Sequence, residues 1–320
     1  MVYFCKENGR KTRRPGPEGA AARRLRRNGW TMRNETLEQL LRERKRPILA
    51  EFDPPRQTEP GDFLSGAREL AEAGADVITI ADCPIGKASI DASLLAAKLK
   101  RECGIQVLPH MACRDRNLNA IQALLMGLDM EDIRQVLLVT GDPVARENRE
   151  NVQGVFQLTS RTLAETLRDL TEKGKLSPFF LCGALNVNAR NFDAELNRAR
   201  QKEESGIQAF LTQPISGRRA AENVQKARKA LKGYLLGGLF PIVSYKNACF
   251  LQKEVKGMEI EDAVIRAYEG LDREQGEIMA RRLCRDMAQD IGPFVDGLYI
   301  MTPFRRVELV KQIIADIREK

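Results

Sequence analysis

The chain has 320 residues, 43% of them apolar and 30% charged, with a formal net charge of +8. That is ample for a closed core and suits one (β/α)8 barrel, which typically needs about 250 residues. Residues 1–31 hold nine Lys/Arg against two Glu, so the other 289 residues carry only +1, and a basic nucleic-acid-binding body is excluded.

Residues 1–31 are rich in Arg, Gly and Pro, lack a sustained period and are expected to be a disordered leader. An RNA-binding arm is the alternative; too few aromatics are present there to stack on bases. They contain no apolar core of a secretory signal, and no apolar run in the chain approaches the ~18 residues of a membrane span. Seven scattered cysteines without a C-x-x-C pair, beside a single histidine, argue against a zinc site. Free thiols point to a cytoplasmic protein.

From residue 32 onward the pattern is that of one domain, 32–320. Asn34 is expected to cap a short helix carrying Leu37, Leu40 and Leu41 on one face. Apolar runs of strand type follow at 46–53, 75–81, 105–113, 134–140, 178–185, 207–212, 234–243 and 296–301. Helical patterns alternate with them at 63–73, 89–102, 116–130, 159–173, 193–205 and 218–231. Another runs over 247–256 and on through a longer helical region to Ile291, and a last one starts at Arg305. Strands buried on both faces read as near-continuous apolar runs. Eight of them alternating with helices predict an α/β fold of the (β/α)8 TIM-barrel type. No G-x-G-x-x-G follows the first strand, which weakens a dinucleotide-binding reading.

In such a barrel the strand C-termini share one rim, here expected to carry Glu51, His110, Asp142, Asn188, Gln213 and Thr302. Glu51 interrupts an apolar strand. Its carboxyl is either a proton donor raised by burial or a structural acceptor of backbone amides. Asp142, between Gly141 and Pro143, is a turn residue by type, although its place on the rim adds a functional reading. His110 is the only histidine, and Gln213 can pair with a heterocyclic amide. Lys202 lies on a charged helix whose default reading is a solvated face. Phe240, Tyr245, Phe250, Tyr299 and Phe304 gather near the last two strand ends, where core packing is the expected role, although a flat ligand would need one or two of them. With no metal cluster, Ser/His/Asp triad or phosphate loop, such a rim suits a cofactor-borne chemistry.

Five segments in register resemble 5,10-methylenetetrahydrofolate reductase: Glu51-Phe-Asp-Pro-Pro-Arg56, Pro109-His-Met-Ala-Cys-Arg-Asp-Arg-Asn-Leu-Asn119, Leu138-Val-Thr-Gly-Asp-Pro143, Leu211-Thr-Gln-Pro214 and Tyr299-Ile-Met-Thr-Pro-Phe304. The likeness spans roughly 45–310 and is greatest to the form fused behind a homocysteine methyltransferase in bifunctional bacterial proteins. It implies a flavin-binding barrel that reduces 5,10-methylenetetrahydrofolate to 5-methyltetrahydrofolate by hydride from reduced flavin N5. By residue, Glu51 matches the general acid, Asp142 the carboxylate near flavin and pterin, and Gln213 a folate partner. His110 and the Thr140-Gly141-Asp142 turn match flavin contacts. Asn188 and Lys202 fall where the family holds the flavin's phosphate-ribose part.

Departures accompany the match. Asn188 stands in place of a histidine, Thr140 of an arginine and Ala81 of a threonine, and the position of the ring-stacking aromatic falls on Leu251. The resemblance therefore implies FAD, with FMN open. Electrons come from NADH or NADPH, or from a redox partner subunit as in acetogenic-type complexes. An oligomer is expected, with neither membrane nor nucleic acid as partner. A flavin-free folate-binding scaffold is the reading from another class.

Overall fold

The computed structural model describes residues 35–144, 149–254 and 260–319; the leader and Asn34 lie outside them. Eight parallel strands close into a barrel in sequence order: β1 Ile48–Glu51, β2 Val77–Ile80, β3 Val107–Ala112, β4 Gln135–Val139, β5 Phe180–Leu185, β6 Ala209–Pro214, β7 Tyr234–Leu239 and β8 Gly297–Met301, with β8 paired to β1. The helices after strands one to six are α2 Gly61–Glu72, α3 Ala92–Cys103, α4 Leu118–Met130, α5 Ser160–Glu172, α6 Phe192–Glu204 and α7 Arg218–Ala230. Between β7 and β8 run α8 Tyr245–Glu254, α9 Asp262–Ala267 and α10 Arg273–Ile291; α11 Val307–Arg318 ends the ring, and α1 Leu37–Arg42 precedes it. The expected (β/α)8 barrel is therefore the fold, each strand falling within or across its expected run.

Local chemistry sets the helix ends. Asp91, Asn117, Thr159, Asn191 and Asp272 accept backbone N–H groups at the starts of α3, α4, α5, α6 and α10, as short oxygen-bearing side chains do. Gly104 ends α3 in the left-handed region, φ +64°. In α1 the cap is Thr36, not Asn34: its hydroxyl accepts from Gln39 N, and the Gln39 side chain bonds back to Thr36 N. The helical region expected as one piece up to Ile291 is two helices. Gly270, φ +75°, and the Asp272/Gln275 capping box divide them.

The period of two along each strand sorts the core into two bodies. Ile48, Ala50, Ile78, Ile80, Val107 and Met111 face the helices, while Leu49, Val77, Leu108, Leu137, Phe180 and Leu211 fill the barrel's inside. Leu37 and Leu41 join that inner cluster, and Gln135 at the start of β4 accepts Leu37 N, so α1 stoppers the N-terminal end. Glu51 has the parity of Leu49, and His110 that of Leu108. Both project inward one pleat above the inner apolar layer.

Candidate active site

A cavity of about 540 Å3 opens at the C-terminal end of the barrel, lined among others by Glu51, His110, Gly141, Asp142, Gln213 and Tyr299. This is the end where barrels of this type carry their chemistry, and the volume lies in the range of ligand and cofactor sites. Glu51, His110, Asp142 and Gln213, expected on one rim, are brought together. The side chains of Glu51 and His110 are 20% and 10% exposed, whereas Asp142 and Gln213 are open to solvent.

Burial raises the Glu51 carboxyl from its ordinary 4.5 to about 8, helped by the neighbouring Asp53 charge. Burial also pushes the His110 imidazole from 6.5 down to about 3. Both groups are therefore neutral at pH 7. A protonated carboxyl in a cavity is what a proton donor at neutral pH requires. Its cost is visible in stability. A raised carboxyl stabilises the fold below about 4.5, and that contribution is lost as pH rises through about 8. His110 works the other way, but only between about 3 and 6.5. Between pH 6.5 and 8 the slope therefore belongs to Glu51. Thermal melts over that window should show the parent losing stability with pH relative to Glu51→Gln, and parallel curves would refute the shift.

The remaining rim is held by ion pairs and tight turns. Asp82, at the end of β2, lines the cavity, accepts Ala112 N at 2.9 Å and pairs with Arg116. Arg116 also reaches Asp91 at 2.7 Å. The Arg114 guanidinium, 3% exposed, donates to the Asp115 carboxylate and to the carbonyls of Cys83 and Asp142. It thereby joins the turns after β2 and β4. Gly141 sits against it at φ +93°, where an added Cβ would lie 2.9 Å from Arg114 Cβ. Gly141→Ala is expected to cost about 1–3 kcal/mol through that contact and the strained φ, read as a lower urea midpoint.

Four expected residues stand outside the cavity lining. Thr302 is buried just after β8, its N–H donating to Glu51 O. Thr140 has the outward parity of Leu138, and its hydroxyl accepts Ser160 N at the start of α5. Asn188 is buried and donates from its side-chain amide to Pro214 O at 2.8 Å. Lys202 is not on a solvated face. Its ammonium donates to Ala184 O at 2.7 Å, and burial lowers its pKa. Of the five aromatics, Phe240 and Tyr299 line the cavity, whereas Tyr245, Phe250 and Phe304 are 41%, 55% and 70% exposed and do not pack the core. Asp82, Arg114 and Arg116 are site residues that the expected rim does not include. The signal was there, as charges directly after strand ends β2 and β3.

Among the described residues, no three His, Cys, Asp or Glu side chains converge on a possible metal position. No helix there is long and apolar enough to cross a membrane, and the six cysteines described are free thiols.

The model of the methylenetetrahydrofolate reductase family matches residues 36–318. The chain belongs to that family. Membership places it among proteins of folate metabolism, and the matched stretch takes in the whole barrel with every residue of the cavity. Among solved structures, a protein from Clostridium thermocellum that binds two copies of 5-methyl-5,6,7,8-tetrahydrofolic acid is similar at TM-score 0.62 and 16% identity, over 88% of this chain and 98% of that one. Tryptophan synthase from Mycobacterium tuberculosis follows at 0.53 and 10%, over 87% and 95%. A 2,3-dimethylmalate lyase reaches 0.51 and 11%, over 88% and 82%. At these identities the likeness is one of fold.

The cavity has the size of a cofactor site and presents His110, Gly141 and Asp142 on its wall. The ring end of a flavin therefore fits. Asn188 and Lys202, expected at the phosphate end, are bonded to backbone carbonyls of β6 and β5.

Proposed function

We propose that the chain is a flavin-dependent reductase converting 5,10-methylenetetrahydrofolate to 5-methyltetrahydrofolate. The observation that carries this reading is Glu51, a carboxyl raised to about 8 in a cavity that also presents Asp142 and Gln213. His110, Gly141 and Asp142 would hold the ring of the flavin, FAD or FMN, and Lys202 and Asn188 would need to exchange their present bonds to reach its phosphate. Bound there, a flavin supplies hydride. The chain's own residues do the rest. Glu51 delivers the proton to folate N10 that opens the imidazolidine ring. Gln213, exposed at the mouth, pairs with the pterin amide through its donor and acceptor. The inner layer of Leu137, Leu211 and Tyr299 keeps water from below.

Asp142 sets how readily hydride leaves. A fixed negative charge beside the ring disfavours electron-rich reduced flavin. Asp142→Asn should therefore raise the two-electron potential by on the order of 30 mV, about 1.4 kcal/mol, and slow folate reduction. A potential equal to the parent's would remove that role.

Leu251 favours a second reading of the electron supply. It lines the cavity where an aromatic would stack on nicotinamide, while Phe250 beside it is 55% exposed. Leucine offers no ring face, so electrons arriving from a redox partner subunit compete with direct NADH or NADPH. Aerobic purification tests both readings: a yellow protein whose released flavin is identified, bleached anaerobically by NADH or NADPH, and reoxidised by methylenetetrahydrofolate. Flavin that bleaches with dithionite but with neither nucleotide supports the partner. A colourless protein that still binds methyltetrahydrofolate makes the chain a folate-binding scaffold instead.

A further inference from the structure

Inside the barrel the Glu51 carboxyl and the His110 imidazole face each other, with Oε2 and Nε2 3.7 Å apart. That is too long for a hydrogen bond, yet Nε2 is buried without a partner, a rare condition for a polar atom in a folded interior. The hydroxyl of Thr79, the register partner of Glu51 on β2, is orphaned in the same way. The other charged groups around Glu51 are accounted for. Asp53 follows it on the β1 loop, where Arg56 and Arg305 act on it. Asp82 is paired with Arg116, and Asp142 stands exposed on the β4 turn. Among the described residues, His110 is the basic side chain recorded within 4 Å of the Glu51 carboxyl.

Two neutral groups so placed have a limited choice. A protonated carboxyl has one O–H to donate, and a neutral imidazole has one nitrogen that accepts. Closing the gap by about 0.8 Å makes an ordinary bond. We propose that His110 is a positioning residue for Glu51: its Nε2 accepts the hydrogen bond of the protonated Glu51 carboxyl and holds that proton at the cavity wall until a bound folate takes it. The proposal rests on Glu51 being the acid. It adds a reason why the acid stays loaded, because a bond made only to the protonated form favours that form. Once the proton has left, Nε2 loses its donor, and that loss drives recapture of a proton from solvent.

The test reads Glu51 directly. Infrared spectra of the purified protein are taken from pH 6 to 9.5, with Glu51→Gln subtracted to assign the protonated-carboxyl band. The parent band should fade with a midpoint near 8. In His110→Phe, which keeps a ring and removes the acceptor, the midpoint should fall by about one unit, a tenfold change in acidity. In His110→Gln, whose amide oxygen accepts, most of that fall should be restored. A midpoint in His110→Phe equal to or above the parent's overturns the positioning role and leaves the acid reading standing. A parent without the band at neutral pH overturns both. If Phe is not tolerated in the fold, the parent band decides: a carboxyl donating to Nε2 absorbs at lower frequency than a free one, and a free-carboxyl frequency overturns the proposal.

Discussion

Glu51→Gln is expected to slow reduction of methylenetetrahydrofolate by about 10²–10⁴-fold, the range for loss of a general acid, with flavin content unchanged. Glutamine keeps the shape and most of the polarity of the side chain but cannot supply a proton. The rest of the cavity wall, strand residues such as Leu137 and Leu211 and loop residues such as Asp82 and Asp142, keeps its side chains. Folate affinity should therefore hold within a few-fold while the rate collapses, a signature of an interaction made in the transition state. Bleaching of the flavin by its electron donor does not use this proton and should proceed as in the parent. Single-turnover mixing of reduced protein with folate separates the two half-reactions. A variant that reoxidises at the parent rate would remove Glu51 from the chemistry and, with it, the main support for the reductase reading.

What was legible in advance, and what was not, follows from burial. Strands of a closed parallel barrel are covered on both faces, so their apolar runs stand out, and all eight could be placed. The same continuity hides which residues point inward. Val136 to Val139 reads as uniformly apolar, yet Leu137 and Val139 face the barrel while Val136 and Leu138 face helices. Thr140 follows the outward set and bonds Ser160 N, a parity that an unbroken hydrophobic run does not disclose. Glu51 was conspicuous for the opposite reason, being a lone carboxylate in such a run. Lys202 misled because helix α6 is charged all along its length, and only the packing of α6 on β5 turns that ammonium toward Ala184 O. Tyr245, Phe250 and Phe304 misled in reverse. Large rings imply a core, but Tyr245 and Phe250 lie exposed on α8, and Phe304 sits exposed in the turn after β8 at φ +50°.

Arg116→Met should destabilise the protein by about 3–5 kcal/mol, the penalty for stripping one partner from a buried ion pair. Arg116 and Asp82 side chains are 14% and 2% exposed and bonded to each other, and the second guanidinium arm holds Asp91. Asp91 caps α3 through Ser93 N and Leu94 N, while Asp82 takes Ala112 N at the end of β3. One guanidinium thus clamps the β2–α3 loop onto the strand that carries His110. Methionine fills the stem's volume but leaves the Asp82 carboxylate in the protein with one backbone donor. Adding Asp82→Asn should recover much of the loss, because the amide needs no counter-charge and can still accept Ala112 N. Urea unfolding of the two single variants and the pair gives the coupling directly. Additive losses would mean that the clamp is electrostatically idle, and that the β2 and β3 loops keep their places on the cavity wall by packing alone.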